Sequence, residues 1–390
     1  MTRPRPARLA QIAPIGVDRM GQLADHADCD LLRLENLDVN IPPDPDVIAC
    51  SAAALHAASN NSYLPFGGQL PLRRVAARHV SALSGVPYDE HNCLIAAGGL
   101  SGILNVLLAT VEVGDEVIVT DPTYAGLINR VRLAGGTPKF VPFTFSPGRE
   151  WVLDREALCA ATRAPGSRVR AMLLMSPSMP SGAYLDAEDW QLVAQLCVEA
   201  DLLLILDTAM ERLLFDHRPL LHPAGLPGMA ERTITVGAAS KELRLIGWRV
   251  GWIVAPSSYI PDLTAVALAN VVVPVGIAQS AAALALERSS STMQPYVEEL
   301  QKRRDVILEE LKGMPVATPA GGWSLLLRVS DYGIDGETMA TRLLEHGVCA
   351  TGMAGWGETH GSQYIRFVFA NESCERLMGL GVKVRAALGI

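Results

Sequence analysis

A lysine and an arginine eight residues apart are the residues of this chain best suited to chemistry. Lys241 and Arg249 lie in the segment VGAASKELRLIGWRVGW, which runs from Val236 to Trp252. A lysine amine is nucleophilic only when its charged form is disfavoured, and burial or a nearby cation such as Arg249 has that effect. The planar guanidinium of Arg249 is also suited to binding a phosphate. The alternative interpretation is an exposed lysine on an ordinary loop, which would carry no chemistry.

A phosphate beside an amine-reactive aldehyde is what pyridoxal phosphate offers, so we expect Lys241 to hold this cofactor as a Schiff base. The next candidate is Asp207, which ends the apolar run Leu202–Leu206. A carboxylate at such a position either caps the following element or meets a buried cation. We expect Asp207 to pair with the pyridine nitrogen of the cofactor and to keep that nitrogen protonated.

Aromatic, glycine-rich and cationic residues at other predicted strand ends complete the set. Tyr124, in DPTYAGL, either fills the core or stacks on the cofactor ring. The run GGLSG at 98–102 opens a predicted helix, whose first backbone N–H groups can hold phosphate oxygens. Arg366, in YIRFVFA, either faces solvent on an edge strand or binds a substrate α-carboxylate through two parallel hydrogen bonds. Tyr63 precedes a Gly-Gly turn and, taken alone, predicts a half-buried loop residue.

Short apolar runs that alternate with helix-length segments must position these residues, and they predict an α/β domain with a parallel sheet. The predicted strands are CLIAAGG, DEVIVTDP, AMLLMSP, LLLILD, TITVGA and GWIVAP. Ligands of such sheets bind beyond the carboxyl ends of the strands, where the candidate residues lie. Met293–Lys312 predicts a long exposed helix joining two domains, and WSLLLRV and YIRFVFA predict strands of a smaller α+β unit. The expected organisation is an N-terminal arm with part of the small domain (1–44), a large cofactor-binding domain (45–274), and the linking helix with the small domain (275–390).

Composition limits the classes of partner. The 390 residues carry a formal net charge of -8, which disfavours nucleic acid and anionic membranes as partners. Seven scattered cysteines without a C-x-x-C pair predict free thiols in a reducing compartment, and the cytoplasm is the expected location. Thr264–Leu286 lacks charged residues, but polar residues interrupt it, so we expect a buried segment near a subunit interface or pocket mouth, not a membrane span.

The full pattern of Ser-Lys, five residues and then G-W-R-x-G-W resembles the cofactor-lysine motif of the aminotransferase class I/II family, which are fold-type I pyridoxal phosphate enzymes. With the other motifs in the same order, the resemblance covers the chain from about Leu32 to its C-terminus. It implies an α/β fold with a large domain, whose sheet is mostly parallel and seven-stranded, and a smaller α+β domain.

The resemblance also implies roles for individual residues. It implies contacts to the cofactor phosphate from Ser240, Arg249 and the backbone of Gly99 and Leu100. It assigns Arg366 to the substrate carboxylate and Tyr124 to the catalytic site. It further implies an obligate homodimer in which Tyr63 reaches the phosphate of the partner's cofactor, close to the substrate.

Two methionines depart from the family pattern. Met179, in SPSMPSG, stands where the family has an asparagine that donates to the phenolic oxygen of the cofactor, and Met210 stands where it has a tyrosine with the same role. A thioether has no hydrogen to donate, so either another group replaces these donors or the enzyme operates with altered cofactor electronics. The N-terminal loop offers Glu35, Asn36 and Asp38 near the expected substrate site. They indicate either a positively charged substrate, which Asn36 would help to bind, or ordinary solvated loop acids.

These residues predict a pyridoxal phosphate enzyme that activates an α-amino acid through an imine with the cofactor and removal of the Cα proton by Lys241. Transamination is the first interpretation. The alternative is elimination or replacement at the γ carbon, or cyclisation, on an S-adenosylmethionine-like amino acid in specialised metabolism, and Met179 and Met210 motivate it. A non-catalytic regulator with the same fold is a third class, but the chain has no spare basic segment for DNA binding.

Overall fold

The computed structural model describes residues 6–390. Helices cover most of the segments between the strands. In chain order they are α1 Ala7–Ala10, α2 Val17–Asp25, α3 Pro45–Ala54, α4 Leu70–Ser84, α5 Gly99–Thr110, α6 Ala125–Leu133, α7 Arg155–Arg163, α8 Ala187–Glu199, α9 Ile260–Asn270, α10 Gly276–Glu310, α11 Gly336–Glu345, α12 Cys374–Leu377 and α13 Leu380–Leu388.

The strands form one large sheet and two small ones. In chain order they are β1 Leu32–Arg33, β2 Cys93–Ala96, β3 Glu116–Asp121, β4 Thr137–Thr144, β5 Val152–Leu153, β6 Val169–Met175, β7 Leu203–Asp207, β8 Thr233–Ala238, β9 Gly251–Val254, β10 Ser324–Arg328, β11 Val348–Cys349, β12 Thr351–Gly352 and β13 Tyr364–Val368. The large sheet has the order β2-β9-β8-β7-β6-β3-β4-β5. Each of the eight strands predicted from apolar runs is present, and β4 and β5 complete the large sheet.

The large sheet is mostly parallel, as expected. Strands β4, β3, β6, β7 and β8 pair in parallel, β9 runs antiparallel to both of its neighbours, and the two-residue β5 adds an antiparallel edge. Seven strands and this short edge therefore agree with the predicted sheet. The interior strands are apolar because helices cover both faces of the sheet.

Strand register brings the candidate residues to one edge of the sheet. Asp207, the last residue of β7, pairs with Met175 at the end of β6 and with Val236 in β8. Lys241 follows β8 by three residues, and α5 begins directly after β2. The carboxyl ends of these strands and the N-terminus of α5 therefore surround one point.

The smaller sheets lie in the N-terminal and C-terminal parts of the chain. Strands β10, β13 and β12 form an antiparallel sheet, and β1 pairs in parallel with β11. Because β13 is the central strand of its sheet and Arg366 is fully buried, the interpretation of Arg366 as a solvent-facing edge residue is wrong. The division into three segments with boundaries at 44/45 and 274/275 remains our proposal.

Helix α10 differs from the helix predicted at Met293–Lys312. It begins 17 residues earlier, at Gly276, because the alanine-rich run 278–286 favours helix. One face of its C-terminal half is buried, including Tyr296 and Leu300, so the helix is not fully exposed as predicted. The uncharged segment Thr264–Leu286 contains the end of α9, a short loop and the buried start of α10. Within residues 6–390, no helix has the length and apolar character needed to cross a membrane.

Candidate active site

A pocket of about 220 Å³ opens at the carboxyl edge of the large sheet. Its walls come from the ends of β6, β7 and β8, the start of α5 and the N-terminal loop. The lining residues are Leu37, Gly99, Leu100, Tyr124, Met175, Met179, Asp207, Ala209, Met210, Ala238, Ser240, Lys241, Ile246 and Arg249. Eight residues that the sequence nominated for the site therefore line one cavity. A larger surface cavity, of about 830 Å³ between α4 and α10, contains none of them.

The amine of Lys241 contacts one backbone carbonyl and one aromatic ring. Its Nζ donates a hydrogen bond to the Leu37 carbonyl at 3.0 Å and lies 4.0 Å from the centroid of the Trp323 ring. Burial lowers the pKa of Lys241 to about 7, and the nearby Arg366 adds to the shift. Arg249, which the sequence suggested as the main cation, has a smaller effect than burial and Arg366. The neutral, nucleophilic form of the amine is therefore much more accessible at neutral pH than in an ordinary lysine.

Asp207 lies opposite, at the end of β7. Its Oδ1 accepts the backbone N–H of Ala209 at 3.0 Å, so the carboxylate closes the turn that follows the strand. Burial raises the pKa of Asp207 to about 6, against smaller lowering effects of that hydrogen bond and of Lys241. The turn-closing role and the cofactor role are compatible, because Asp207 also lines the pocket. At neutral pH most of this carboxyl is ionised and can hold a proton on a ring nitrogen.

An anion site lies between Arg249 and the start of α5. The guanidinium Nη1 of Arg249 donates to the Ile246 carbonyl at 2.9 Å and lies 3.4 Å from Ser240 Oγ. A Cβ at Gly98, which has φ +90°, would lie 2.6 Å from Nη2 of Arg249. A Cβ at Gly99 would lie 3.0 Å from the Cβ of Ala238.

Gly98 therefore lets the guanidinium approach the first turn of α5, where backbone N–H groups have no partner within the helix, and Gly99 lets this turn pack against β8. A cation, a hydroxyl and helix N–H groups converge here, and phosphate is the group that such a set binds best.

Tyr124 stands at the N-terminus of α6 with its ring in the pocket wall. Its ring meets the Trp356 ring in a T-shaped contact, with centroids 5.2 Å apart. Burial raises the pKa of Tyr124, so the phenol stays neutral. The contact with Trp356 restricts the plane of this ring, which suits a stacking role.

Three methionines form an apolar wall of the pocket. Met175, Met179 and Met210 are all buried, and all three line the cavity. Both positions that depart from the family pattern, Met179 and Met210, therefore do lie in the pocket. Their thioethers accept weak hydrogen bonds at most and donate none.

Arg366 is fully buried and is not among the residues that line the pocket. Its Nη2 donates to the Glu35 carbonyl at 2.7 Å and lies 3.3 Å from Thr351 Oγ1. Its Nε and Nη1 have no hydrogen-bond partner among residues 6–390. Burial lowers the pKa of Arg366 to about 10, which leaves it charged at neutral pH. A buried cation with two unpartnered nitrogens is costly unless it binds an anion.

Asn36 and Tyr63 are not brought to the pocket within the single chain. Asn36 precedes Leu37, which does line the cavity. Tyr63 is 85% exposed and lies on the surface beside Val271 and Val272.

The acids of the N-terminal loop have local partners. Glu35 is buried and pairs with Arg33 at 2.7 Å, and Asp38 accepts the N–H of Val39. The paired Glu35 therefore does not indicate a positively charged substrate.

Several residues of the site had no usable signal in the sequence. Leu37 contributes a carbonyl, and every residue type has one. Trp323, whose ring contacts the Lys241 amine, directly follows the pair Gly321-Gly322. In a sequence, a tryptophan after two glycines predicts only a turn near the core. Arg130 donates from Nε to the Leu100 carbonyl at 2.8 Å and so holds the start of α5. An arginine on an amphipathic helix is usually exposed, and this role depends on tertiary packing.

Comparison with known proteins agrees with this geometry. The family model described as aminotransferase class I and II matches residues 33–378. The chain is 34% identical over 311 residues to the arginine–pyruvate transaminase AruH of Pseudomonas aeruginosa, covering 78% of this chain and 77% of that protein. It is 35% identical over 285 residues to a probable N-succinyldiaminopimelate aminotransferase DapC of Mycobacterium tuberculosis, covering 72% and 71%. The solved N-succinyldiaminopimelate aminotransferase from Mycobacterium tuberculosis superposes with a TM-score of 0.89 at 30% identity, covering 99% of this chain and 100% of the other.

Proposed function

We propose a role for each part of the pocket from one premise, that this chain belongs to the class I and II aminotransferases. Members of this family depend on pyridoxal phosphate, and the chain is accordingly a pyridoxal phosphate-dependent transferase that acts on amino acids. The observation that carries the assignment of the site is the placement of Lys241 and Asp207 in one pocket with an anion site at its end.

The residues fit the cofactor group by group. The phosphate would be held by Arg249, Ser240 and the first N–H groups of α5, at Gly99 and Leu100. Gly98 leaves room for the Arg249 guanidinium, because a Cβ at this position would intrude on it. Bound pyridoxal phosphate supplies an aldehyde that combines with amines and a protonated ring that accepts the electron pair left at Cα. Asp207 would hold the proton on the ring nitrogen, and the flat face of Tyr124 would keep the ring in plane.

Lys241 serves as the nucleophile and as the base. Because its pKa is about 7, the amine is neutral often enough to combine with an aldehyde and to accept a proton from a substrate Cα. The hydrogen bond to the Leu37 carbonyl directs the amine, and the Trp323 face stabilises its charged form after it has taken the proton. Both contacts suit an amine that gains and loses a proton in each cycle.

Arg366 would bind the α-carboxylate of the substrate. Its two unpartnered nitrogens supply hydrogen-bond donors to an anion, and among residues 6–390 its side chain forms no ion pair with a carboxylate. Asn36 remains a proposed substrate contact because the adjacent Leu37 lines the pocket.

Incubation of the purified protein with a panel of amino acids tests the proposal. We expect conversion of the bound cofactor to its pyridoxamine form with at least one amino acid, and regeneration by a 2-oxo acid. Borohydride reduction followed by peptide mass spectrometry should place the cofactor on Lys241. Lys241→Ala should lower the turnover by about 10²- to 10⁴-fold or more. Release of a thioether from an S-adenosylmethionine-like substrate, without the pyridoxamine form, would instead support the elimination or cyclisation alternative.

We also propose that two chains form a homodimer in which Tyr63 reaches the partner's cofactor. The exposed Tyr63 lines a surface cavity together with the partly exposed apolar side chains of Val271 and Val272. Such a patch is typical of a protein interface. The scattered, unpaired cysteines support a reducing compartment, and the cytoplasm remains our proposed location.

Mixing two inactive variants tests the contribution of Tyr63 across the interface. A Tyr63→Ala subunit retains Lys241, and a Lys241→Ala subunit retains Tyr63. If each site combines its own Lys241 with the partner's Tyr63, hybrids contain one intact site and the mixture recovers activity. No recovery, in a mixture that sedimentation shows to exchange subunits, would contradict the proposal.

A further inference from the structure

The loop between β12 and β13, residues 353–363, lies against the end of β3 and carries a buried tryptophan. Trp356 is fully buried and touches two residues of the proposed site at once. The guanidinium carbon of Arg366 lies 4.6 Å from the centroid of its ring. The ring of Tyr124 meets the same indole in the T-shaped contact at 5.2 Å. One side chain therefore contacts the proposed carboxylate-binding residue and the proposed ring-stacking residue.

Hydrogen bonds fix Trp356 on three sides. Its backbone carbonyl accepts the N–H of Thr123, the residue before Tyr124, at 2.9 Å. Its indole Nε1 donates to the Ile15 carbonyl at 3.0 Å, and its backbone N–H donates to the Met353 carbonyl at 3.0 Å. Because both the main chain and the ring are held, the indole presents a fixed surface to its neighbours.

Asp121, the last residue of β3, holds the rest of the loop. Its buried carboxylate accepts the backbone N–H groups of Glu358 at 3.0 Å, Thr359 at 2.6 Å and His360 at 3.3 Å. A Cβ at Gly357 would collide with the same carboxylate, so glycine is required there. Movement of the loop would leave a buried carboxylate without donors, which is strongly unfavourable.

Arg366 depends on Trp356 because its other contacts are few. Only Nη2 has hydrogen-bond partners within residues 6–390, and these are the Glu35 carbonyl and Thr351 Oγ1. A guanidinium held at one nitrogen can still rotate about that contact. The indole face restricts the guanidinium plane and stabilises its charge.

We propose that Trp356 is a positioning residue that fixes Arg366 and Tyr124 in one arrangement, with Asp121 holding its loop in place. This proposal rests on the proposed function, in which Arg366 binds the substrate carboxylate and Tyr124 stacks on the cofactor. It adds that a single indole sets both the affinity for the carboxylate and the environment of the cofactor ring. The two properties should therefore change together when Trp356 is altered.

Steady-state kinetics and circular dichroism of the bound cofactor, both on the holoenzyme, test the proposal. Trp356→Leu should raise KM for an amino acid by roughly tenfold, with a smaller change in kcat, and should alter the cofactor's circular dichroism. Trp356→Phe keeps an aromatic face and should recover most of both properties. A substrate analogue without the α-carboxylate should bind wild type and Trp356→Leu equally well.

Trp190→Leu is the matched control. Trp190, in α8, is also buried, and its ring stacks on neither Arg366, Tyr124 nor a residue of the loop 353–363. Its replacement should lower thermal stability without raising KM or altering the cofactor signal. Equal increases in KM in the two leucine variants would indicate general loosening and would overturn the proposal.

Two further variants separate this inference from the proposed function. If Arg366→Lys leaves KM unchanged, the assignment of the carboxylate site is wrong. If Arg366→Lys raises KM and Trp356→Leu does not, only the positioning role is wrong. Where Trp356→Leu does not fold, Asp121→Asn decides, because an amide cannot accept the three N–H groups with both of its ends. It should raise KM and alter the cofactor signal in the same direction as Trp356→Leu, and an unchanged KM would overturn the proposal.

Discussion

Two groups of buried charges lie next to each other after strands β7 and β8, and they are partnered differently. In the pocket, Asp207 accepts a backbone N–H and Lys241 donates to a backbone carbonyl. Just beyond them in the chain, Glu211 and Glu242 have side-chain partners. Arg212 donates from Nε to Glu242 at 2.6 Å, and its backbone N–H donates to the same carboxylate at 2.7 Å.

The second group continues toward the surface cavity between α4 and α10. Glu211 lies 3.4 Å from Nε2 of His79, and Arg212 donates from Nη1 to Ser289 Oγ at 2.7 Å. Burial raises the pKa of Glu211 and of Glu242, and it lowers the pKa of His79 to about 4. We call Glu211, Arg212, Glu242, His79 and Ser289 the scaffold cluster.

Shifted pKa values occur in both groups, so they do not distinguish a reactive site from a structural one. The hydrogen-bond partners of the charged groups do distinguish them. Arg212 and Glu242 of the scaffold cluster are satisfied by each other and by Ser289, whereas Asp207 and Lys241 hydrogen-bond to backbone groups and Arg366 has nitrogens without partners among residues 6–390. Charges of the second kind have capacity left for a ligand, which is what a binding site requires.

The largest expected effect comes from breaking the scaffold cluster. Arg212→Met removes the cation that faces Glu242 and leaves a buried carboxylate without a charged partner. We expect the free energy of unfolding to fall by about 3–5 kcal/mol, measured by chemical denaturation. The kcat of the molecules that remain folded should change little.

The double variant Arg212→Met/Glu242→Leu is the control for that prediction. Removing both charges should recover most of the lost stability, since well-packed apolar residues replace a buried ion pair at little cost. A double variant as unstable as Arg212→Met would contradict the assignment of a structural ion pair.

Replacing a carboxylate by an amide should have opposite consequences in the two groups. In Asp207→Asn the free energy of unfolding should stay the same or rise, because burial disfavours the ionised carboxyl at neutral pH. Its kcat/KM should fall on the order of 10²- to 10³-fold, the size reported when a preorganised electrostatic group is removed. Glu242→Gln should lower stability and leave kcat/KM nearly unchanged. Loss of activity in both variants, with equal loss of stability, would remove the distinction.

The pH dependence of stability gives a third test, with a sign that follows from Lys241. Its pKa is about 7 in the folded protein and 10.5 ordinarily, so the unfolded chain binds the proton more tightly. Protonation of Lys241 therefore favours the unfolded chain at neutral pH and lowers the free energy of unfolding. This loss of stability disappears as the pH rises toward 10.5.

Lys241→Met should accordingly be more stable than wild type when both are stripped of pyridoxal phosphate. Its advantage should shrink by roughly 2 kcal/mol between pH 7 and pH 9. Thermal or urea unfolding across this range measures the difference. A constant advantage would mean that the amine has its ordinary pKa and is not buried in solution.

The sequence predicted the parts of this molecule that local patterns encode. Interior strands such as β7 are continuous apolar runs, and Lys241 and Asp207 follow such runs directly. Strand β4, TPKFVPFT, was missed because two prolines and a lysine interrupt its apolar pattern, which parallel pairing with β3 overrides. The scaffold cluster was missed as well. His79 and Glu211 are polar residues in amphipathic segments, where exposure is the usual outcome.

Local sequence patterns could not predict contacts between segments that are far apart in the chain. The interaction of Asp121 with residues 358–360 joins groups about 240 positions apart, and nothing in either segment indicates the other. The burial of Arg366 depends on β13 being a central strand, which is a property of the sheet order and not of the strand. The lining of the pocket by Leu37 depends on a loop with no regular structure.

The smallest expected effects come from a matched pair of serines, one in each group. Ser289 accepts a hydrogen bond from Arg212 at 2.7 Å, and Ser240 lies 3.4 Å from Nη1 of Arg249. Ser289→Ala leaves a buried guanidinium donor without its acceptor, so the free energy of unfolding should fall by about 1 kcal/mol with no change in cofactor affinity. Ser240→Ala removes a donor to the proposed phosphate, so the Kd for pyridoxal phosphate should rise by roughly tenfold with little change in the stability of the apoprotein. The substitution is the same in both variants, so only the hydrogen-bond partners of the two serines differ. If Ser289→Ala weakened cofactor binding and Ser240→Ala lowered stability, the partners of a buried polar group would not distinguish the scaffold cluster from the binding site.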